Sequence, residues 1–312
     1  MVLFRTTDGA YAFVLPGGPP TVNPALSPYR GRRSHARSGI QALRVERVDP
    51  QWTVGRDQSP EVATRQRKRV VVFGAGALGS QVIEELAKAG VGHITIVDPD
   101  QMEANNIGRH LLGMHYVNHP KVAAVAEAVN KSHPSCIVKP YICTAERWLL
   151  ENSLDGIHAV LDLTGEPEVR WCLNEARRAH PCALIVGWME PFVAAAHACL
   201  LTTETLWFSD EALNHDPLKS LEAVDWPEAV IRQVPGCSSR FQAYTSANAA
   251  YAVALVAENA LKVVDGGLDL SKVISWVRGQ QFLDRQWPNL TLRGWAVDAE
   301  RHYAVVKERP FR

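Results

Sequence analysis

Residues 70–109, VVVFGAGALGSQVIEELAKAGVGHITIVDPDQMEANNIGR, decide the fold of this 312-residue chain. The run 70–73 is apolar throughout, which is typical of a parallel strand buried on both faces. In the glycine-rich loop that follows, Gly74 permits a tight turn, Gly76 lets a phosphate approach backbone N–H groups, and Gly79 allows a helix to pack on the strand. The stretch therefore predicts a strand, a phosphate-binding loop and a helix.

A second strand is predicted over 93–97, and it ends at Asp98. A carboxylate in this place accepts hydrogen bonds from a ribose hydroxyl group. The glycine loop and Asp98 alone fit NAD, FAD, another nucleotide or a purely structural use. The polar residues that follow, at 98–100 (Asp-Pro-Asp), 105–109 (Asn-Asn-Ile-Gly-Arg) and 119–121 (His-Pro-Lys), are not needed by a dehydrogenase. They favour chemistry on ATP.

This order of residues resembles the ThiF and MoeB family of adenylyltransferases, which are related to ubiquitin-activating enzymes. That family carries Asp-x-Asp after its second strand, then Asn-x-x-Arg, and then a Pro-Lys pair that opens the next helix. Here the three elements are Asp98–Asp100, Asn106–Arg109 and Pro120–Lys121. The resemblance covers about residues 67–265 and implies a site for ATP.

The resemblance also implies roles for single residues. Asp98 would hold the ribose of ATP, and Asp100 belongs to the same nucleotide-binding set. Asn106, Arg109 and Lys121 would contact the phosphates. When a carboxylate attacks the α-phosphate, two anions meet and negative charge grows in the transition state, so Arg109 and Lys121 are the expected catalytic cations. Taken singly, Arg109 and Lys121 also fit solvated surface cations, and Asn106 fits an ordinary turn residue.

The segment after the fourth predicted strand departs from the family pattern. Relatives carry Asp-x-Thr-Asp there, and their second Asp coordinates Mg²⁺, whereas this chain has Asp162 followed by Gly165 in the second place. Asp162 and Glu166 are the candidate Mg²⁺ ligands, because Mg²⁺ takes one or two carboxylates together with water and phosphate oxygens. The alternative is a strand-end turn and a charge at a helix N-terminus.

The chain contains six cysteines: Cys136, Cys143, Cys172, Cys182, Cys199 and Cys237. Several lie within apolar strand or helix patterns, which favours reduced, buried thiols. No two of them have the Cys-x-x-Cys spacing of a paired zinc site. We therefore expect no zinc, in contrast to many ThiF and MoeB relatives.

Cys237 differs from the other five because it lies in a turn-like segment, 234–239, before a long apolar helix. Arg232 and Arg240 flank it, and nearby positive charge favours the thiolate of a partly exposed cysteine. In relatives a cysteine in the matching place accepts the acyl group from the adenylate or takes part in sulfur transfer. The resemblance thus implies that Cys237 is the catalytic nucleophile. The alternative is a small residue that caps the entry to the helix.

The predicted strands and helices alternate, which is typical of an α/β fold. We expect a doubly wound, Rossmann-like, mostly parallel sheet with helices on both faces. Ligands of such sheets bind beyond the carboxyl ends of the strands, where Gly76, Asp98 and Asp162 would lie. An amphipathic helix rich in small residues is predicted over 243–264, and it should pack on the sheet or on a partner subunit.

Three regions are predicted along the chain. Residues 1–66 form an N-terminal extension with short strands and a basic linker. Residues 67–268 form the ATP-binding adenylation domain, with a crossover segment at 207–242. Residues 269–312 form a small antiparallel β appendage, because strand-like segments at 273–277 and 295–297 lie among predicted turns near Gly279 and at 288–289.

These observations predict an enzyme. It would adenylate the C-terminal carboxylate of a ubiquitin-like or sulfur-carrier β-grasp protein, using ATP and Mg²⁺, and then form a thioester on Cys237. The departures at Gly165 and at the missing zinc cysteines resemble bacterial ThiF-domain proteins of ubiquitin-like or antiviral-defence systems. We expect a homodimer and, downstream, a conjugating enzyme.

Two other functions remain open. A non-catalytic nucleotide-binding dimer scaffold of the same fold would explain Gly165. An NAD-dependent oxidoreductase would leave Asn106, Arg109 and Lys121 without a purpose.

Composition limits the partners further. The formal net charge is zero, which argues against nucleic acid as a main partner. The apolar stretches 182–201 and 251–264 are each interrupted by polar or charged residues, so neither predicts a membrane span. With no secretory leader recognised, we expect a soluble, cytoplasmic protein.

Overall fold

The computed structural model describes residues 2–5, 10–14, 41–43, 45–209, 216–227, 230, 232–233, 240–241 and 244–311. Cys237, the predicted nucleophile, lies outside the described residues.

The N-terminal part contains a small antiparallel sheet and two short helices. Its strands are β1 (Val2–Arg5), β2 (Ala10–Val14) and β3 (Gln41–Leu43), and the helices are α1 (Pro50–Thr53) and α2 (Pro60–Arg65). The alternating unit then comprises β4 (Arg69–Phe73), α3 (Gly79–Lys88), β5 (His93–Val97), α4 (Lys121–Ser132), β6 (Ile137–Tyr141), α5 (Ala145–Glu151), β7 (Ala159–Asp162), α6 (Pro167–Ala179) and β8 (Ala183–Met189). The remaining elements are β9 (Ala195–Leu201), α7 (Leu218–Leu221), β10 (Arg232–Gln233), β11 (Arg240–Phe241), α8 (Ser246–Val264), β12 (Lys272–Arg278), α9 (Gln280–Gln286) and β13 (Ala304–Pro310).

Eight strands form the central sheet in the order β13-β12-β9-β8-β7-β4-β5-β6. The strands from β8 to β6 in this order pair in parallel, and β9, β12 and β13 extend the sheet with antiparallel pairs. The chain winds outward from β4 in both directions, towards β6 on one side and β8 on the other. This is the doubly wound topology, so the predicted fold class is confirmed.

Helices cover both faces of this sheet. On one face the buried side chains of α3, α4 and α8 form a single apolar cluster, which includes Leu86, Val125 and Val256. On the other face α5 and α6 contribute Trp148 and Leu173 to a second cluster. Full burial of such a side chain contributes about 1.5–3 kcal/mol, so these two layers fix the sheet and the loops at its edge.

The C-terminal strands are antiparallel, as predicted, and they join the central sheet. β12 pairs with β9, and β13 forms the outer edge. The expectation of a strand over 295–297 is wrong, because Gly294–Ala299 forms a 3₁₀ helix. Ala296 and Ala299 are both fully buried, and their spacing of three residues matches one 3₁₀ turn rather than a strand.

The described part of the N-terminal extension after residue 44 packs against the alternating unit. Arg65 forms a two-pronged ion pair with Asp265, with Nε–Oδ1 and Nη2–Oδ2 distances of 2.8 and 2.7 Å. Its Nη1 also donates to the Ala89 carbonyl at 3.2 Å. The Gln66 carbonyl approaches Gly92 so closely that a Cβ there would lie 1.8 Å from it. Helix α2 therefore belongs to the same folded unit as the strands that follow it.

The two long apolar stretches have structural roles. Residues 182–201 contain β8 and β9, which pair antiparallel, and residues 251–264 lie in α8, which packs on the sheet. Across the described ranges, none of the helices has both the length and the apolar character that a bilayer crossing requires.

Candidate functional site

A cavity of about 510 Å³ lies beyond the carboxyl ends of the parallel strands. Its walls come from the glycine loop after β4, the turn after β5, the start of α5 and the connection from β7 to α6. Six predicted site residues line it: Gly74, Gly76, Asp98, Asp100, Lys121 and Glu166. The volume suits a small-molecule ligand, and the place is the switch point at which doubly wound sheets bind nucleotides.

The three loop glycines are required for different reasons. Gly74 has φ of +91°, and a Cβ there would come within 2.8 Å of the Leu163 backbone. A Cβ on Gly79 would lie 2.0 Å from the Gly74 carbonyl oxygen. At Gly76, by contrast, an added Cβ would meet no atom within 4 Å and would project towards the cavity wall that this residue forms. The fold needs Gly74 and Gly79, whereas Gly76 leaves room for a ligand.

Asp98 is anchored by backbone donors at the cavity wall. Its Oδ2 accepts from the Ala75 N–H at 2.7 Å, and its Oδ1 accepts from the Asp100 N–H at 2.8 Å. Only 8% of the residue is exposed. Burial raises the pKa of this carboxyl, and the positive charge of Lys121 opposes that shift. The carboxylate is thus rigidly placed, and each oxygen keeps a lone pair for a ribose hydroxyl.

Lys121 opens helix α4 and lies between two acidic groups of the site. Its Nζ is 2.7 Å from Asp100 Oδ2, and its backbone N–H donates to the Asp100 carbonyl at 2.9 Å. The Lys121 side chain is 12% exposed, whereas that of Asp100 is 63% exposed. The ammonium group is therefore held at the cavity by a partner that solvent can reach, next to the positive end of a twelve-residue helix.

A second, smaller cavity of about 30 Å³ adjoins the first. The two share Gly76 and Lys121 in their linings, and the smaller one adds Asn106 and Arg109. The Arg109 guanidinium carbon lies 5.0 Å from the centre of the Tyr244 ring. All the residues predicted to contact phosphates thus line one of two neighbouring cavities.

His110 is a site residue that the sequence reasoning missed. Its Nε2 bonds the Ala75 carbonyl at 2.7 Å, and its Nδ1 accepts from the Leu112 N–H at 3.0 Å, so Nε2 carries the proton. Burial lowers the pKa of this imidazole to about 4. His110 is therefore neutral at pH 7 and ties the glycine loop to the segment that carries Arg109. Its sequence signal was a polar residue directly after the Asn-x-x-Arg element.

Two further side chains reinforce that connection. The Ser80 hydroxyl accepts from the Leu111 N–H at 3.1 Å. The Gln81 amide donates to the carbonyls of Ala77 and Arg109, at 2.9 and 3.1 Å. Because His110, Ser80 and Gln81 join the glycine loop and the start of α3 to segment 109–112, the residues predicted to contact phosphates form a preorganised set.

The two predicted Mg²⁺ ligands occupy different surroundings. Glu166 lines the large cavity. Asp162 is 1% exposed; its Oδ1 accepts from the Thr164 N–H and hydroxyl, at 3.0 and 2.6 Å, and its Oδ2 faces Arg170 at 3.7 Å. The structure therefore brings Glu166 to the cavity and turns Asp162 towards Arg170.

Gly165, which stands where relatives carry an Asp, has a backbone conformation that favours glycine. Gly165 has φ of +77°, so an L-residue there would adopt the left-handed region at a cost of about 1–2 kcal/mol. Within the described ranges no cluster of three or more His, Cys, Asp or Glu side chains is suited to a metal ion. That finding is compatible with Mg²⁺, which takes one or two carboxylates beside phosphate oxygens. Besides Asp98 and Asp100, the carboxylates on the cavity wall are Glu146, Glu166 and Glu168.

The five described cysteines lack the surroundings of a reactive thiol. Cys136, Cys182 and Cys199 are buried, and burial raises the pKa of Cys136 to about 12. Burial also raises the pKa of the half-buried Cys143 and Cys172. A raised pKa suppresses the thiolate that nucleophilic chemistry needs.

A serine, a histidine and a carboxylate also form a hydrogen-bonded row elsewhere in the sheet. His197 Nδ1 lies 2.8 Å from Ser275 Oγ, and its Nε2 lies 2.7 Å from Glu190 Oε1. These distances match a hydrolase triad, but the exposure of the three residues is 0–1%. Glu190 also accepts from the backbone of Val224 and the indole of Trp226, so the row secures the connection after β8.

Comparison with known proteins points to one family over most of the chain. A model of the ThiF family matches residues 58–267. The chain is 41% identical over 108 residues to the adenylyltransferase and sulfurtransferase UBA4 of Yarrowia lipolytica, a match that covers 35% of this chain and 27% of the relative. It is 24% identical over 238 residues to the ATP-dependent ubiquitin transferase-like protein Cap2 of Pseudomonas aeruginosa, covering 73% of this chain and 41% of that protein. The match thus spans less than half of either relative.

Solved structures share the fold. Escherichia coli MccB, solved with ATP, superposes with a TM-score of 0.53 at 17% identity, over 69% of this chain and 62% of MccB. PaaA superposes with a TM-score of 0.52 at 14% identity, over 70% of this chain and 64% of PaaA.

Proposed function

Because the chain belongs to the ThiF family, we propose that it uses ATP to adenylate the C-terminal carboxylate of a ubiquitin-like or sulfur-carrier β-grasp protein. A thioester then forms between this carrier protein and Cys237.

Two neighbouring cavities, whose linings share Gly76 and Lys121, are the observation that carries the proposal. The large cavity holds Asp98 where a ribose would lie, and the small one holds Asn106 and Arg109. Lys121 and Gly76 form the boundary between the two. A ligand with a sugar at one end and several phosphates at the other fits this distribution of charge, and the open space at Gly76 supports close passage of a phosphate.

The chemistry follows from these positions. A carboxylate oxygen of the carrier attacks the α-phosphorus of ATP, the bond from that phosphorus to the oxygen of the β-phosphate breaks, and pyrophosphate leaves with the electron pair. Arg109 and Lys121 place two positive charges beside the oxygens on which negative charge grows. The ion pair with Asp100 holds the Lys121 ammonium group in that place before the substrates arrive.

Mg²⁺, when bound, would neutralise phosphate charge, and Glu166 with Glu168 or Glu146 are the residues that would hold it. Asp162 is better explained as the support of Thr164, because both hydrogen bonds to its Oδ1 come from that residue.

In the second step the Cys237 thiolate attacks the acyl carbon of the carrier adenylate. The bond from that carbon to the AMP oxygen breaks, a thioester forms, and the thiol proton passes to solvent. The neighbouring Arg232 and Arg240 in the sequence favour the thiolate. Burial raises the pKa of Cys136, Cys143 and Cys172 and so disfavours their thiolates, which supports Cys237 as the acceptor.

Pyrophosphate exchange into ATP tests the first step. The assay contains the protein, Mg²⁺ and a β-grasp protein that ends in Gly-Gly, and exchange should require that carrier. Lys121→Ala should lower the exchange rate about 10²- to 10³-fold, because it removes a charge at the developing anion. Lys131→Ala on the same helix, where Lys131 is 72% exposed and pairs with Glu127, is the matched control and should leave the rate unchanged. Carrier-dependent exchange that survives Lys121→Ala would contradict the assigned role.

A gel run without reducing agent tests the second step. Cys237→Ala should abolish the thiol-sensitive adduct with the carrier and keep exchange intact, whereas Cys172→Ala should retain both. An adduct that persists in Cys237→Ala would remove Cys237 from the mechanism and leave adenylation standing.

A non-catalytic nucleotide-binding scaffold is the second candidate, and Gly165 favours it because the carboxylate expected from the family is missing there. Tight ATP binding without exchange for any tested carrier would support this reading.

The proposal includes the assembly that the family resemblance implies. The chain acts as a homodimer in the cytoplasm and passes its carrier to a conjugating enzyme. Sedimentation at several protein concentrations tests the dimer.

A further inference from the structure

Helix α6 carries a row of buried polar side chains that the reaction does not use. Arg170, Asn174 and Arg177 are 2%, 0% and 1% exposed. Their spacings of four and three residues place them on one side of the helix. Arg177 donates to the carbonyls of Thr202 and Thr205, at 2.7 and 2.9 Å. Buried charges need such partners, so this row has a definite structural task.

The rest of the row holds the chain on both sides of 210–215. The Asn174 amide oxygen accepts from the Phe208 N–H at 3.0 Å. Arg170 donates through Nε and Nη2 to Asp216 Oδ2, at 3.0 and 2.7 Å. The other oxygen of Asp216 accepts from the Trp207 indole at 2.9 Å. One helix face therefore fixes the start of the predicted crossover segment that leads towards Cys237.

Arg170 also reaches the nucleotide cavity through Asp162. Its Nη1 lies 3.7 Å from Asp162 Oδ2, too far for a hydrogen bond, and neither atom has a hydrogen-bond partner among the described residues. The other oxygen of Asp162 holds both the N–H and the hydroxyl of Thr164, which lines the large cavity. A continuous chain of contacts thus runs from the cavity wall through Asp162 and Arg170 to Asp216.

We propose that Arg170 is a positioning residue that links occupation of the nucleotide cavity to the placement of residues 202–209 and 216–218. A nucleotide that packs on Thr164 shifts Asp162 towards Arg170. A shift of about 0.9 Å brings the two charged groups to the ~2.8 Å of a charge-assisted hydrogen bond. The driving force exists beforehand, because a buried polar atom without a hydrogen-bond partner is unfavourable, and both of these atoms are in that state.

This inference rests on the proposed function in one respect, namely that the cavity binds ATP. Its consequence is that residues 202–209 and 216–221, which α6 holds, exchange their backbone amide hydrogens more slowly when ATP is bound.

Hydrogen exchange measured by mass spectrometry tests the link directly. Peptides covering 202–209 and 216–221 are compared with and without saturating ATP and Mg²⁺, and calorimetry gives the ATP affinity. In the unmodified protein ATP should slow exchange in these peptides about tenfold, as expected for one added hydrogen bond to a charged group. Arg170→Lys keeps the positive charge but loses the several N–H donors of the guanidinium group. It should therefore abolish the slowing while ATP still binds.

Two more variants separate linkage from simple loss of stability. Asp216→Asn weakens the far end of the chain of contacts without touching the cavity, and it should also abolish the slowing. If Arg170→Lys does not fold, Asp216→Asn alone decides. Arg178→Lys alters a partly exposed arginine on the same helix, which pairs with Glu175, and it should behave like the unmodified protein.

The outcomes distinguish the two proposals. ATP binding without any change in exchange of these peptides overturns the linkage and leaves the proposed function intact. A tenfold slowing that persists in both Arg170→Lys and Asp216→Asn also overturns the linkage. Absence of ATP binding overturns the proposed function, and the linkage falls with it.

Discussion

Lys121 Nζ lies 2.7 Å from Asp100 Oδ2, so the cation that is proposed to meet phosphate already has an anionic partner. The partner carboxylate is largely exposed and the ammonium group is not. An incoming phosphate must therefore share or displace Asp100.

Removal of the Asp100 charge should strengthen ATP binding. Asp100→Asn leaves Lys121 with one competitor fewer and removes a negative charge beside the phosphates. Ion pairs that solvent reaches are worth about 0–1 kcal/mol, so the Kd for ATP should fall at most about fivefold, and less at high salt. Calorimetry at two salt concentrations measures this effect. Asp269→Asn, at an exposed acid outside the cavity lining, is the control; weaker binding in Asp100→Asn would show that Asp100 contacts the nucleotide favourably.

Gly76→Ala should separate binding from stability. No atom lies within 4 Å of the added Cβ, so the melting temperature should stay within error of that of the unmodified protein. The methyl group occupies the space left for a phosphate, and ATP binding should be lost. Gly294→Ala is the control, because its added Cβ also meets no atom within 4 Å. Normal ATP affinity in Gly76→Ala would mean that the phosphates pass elsewhere.

His110 should make stability depend on pH in an acidic window. The pKa of the His110 imidazole is about 4 in the folded protein, whereas an unperturbed histidine has a pKa of 6.5. As the pH falls, the unfolded chain therefore binds a proton before the folded protein does. Its contribution is fully present above pH 6.5 and is lost towards pH 4, by on the order of 3 kcal/mol. Urea unfolding between pH 4.5 and 7.5 measures the slope. His110→Gln should flatten the curve, and an unchanged slope would assign the titration to another group.

Gly165→Asp should restore a carboxylate at the position where the family has one. The positive φ makes the substitution cost about 1–2 kcal/mol of folding stability. If Mg²⁺ is held beside the cavity, the Mg²⁺ concentration that half-saturates ATP binding should fall in this variant. Gly266→Asp, also at positive φ, controls for backbone strain. Equal Mg²⁺ dependence in the two variants would place the ion away from residue 165.

Local sequence predicted the strands, loop and helix around the glycine-rich motif, because their determinants are close in the chain. Gly74 and Gly79 are fixed by contacts within one strand-loop-helix unit, and Asp98 follows the next strand. The joining of the C-terminal strands to the central sheet depends on pairs such as Val273 with Cys199, which no local pattern reveals.

The surroundings of buried polar groups could not be predicted from the sequence either. The sequence offered Asp162 as a metal ligand because it lies in the segment where the family carries its Mg²⁺-coordinating Asp, and because Mg²⁺ takes one or two carboxylates. Its burial against Arg170 depends on how α6 packs on the sheet, which is a property of the tertiary structure. His110 was missed for a similar reason, since its partner Ala75 lies 35 positions away in the chain.

The ion pair between Arg65 and Asp265 has a consequence for how this unit is arranged in longer chains. These residues are 200 positions apart, and both lie near the limits of the region, 58–267, that the ThiF model matches. Their contact brings the beginning and the end of the region close together in space. A unit whose ends meet can be inserted into a larger polypeptide without separating its neighbours. This arrangement is compatible with relatives in which the matched region makes up less than half of the whole protein.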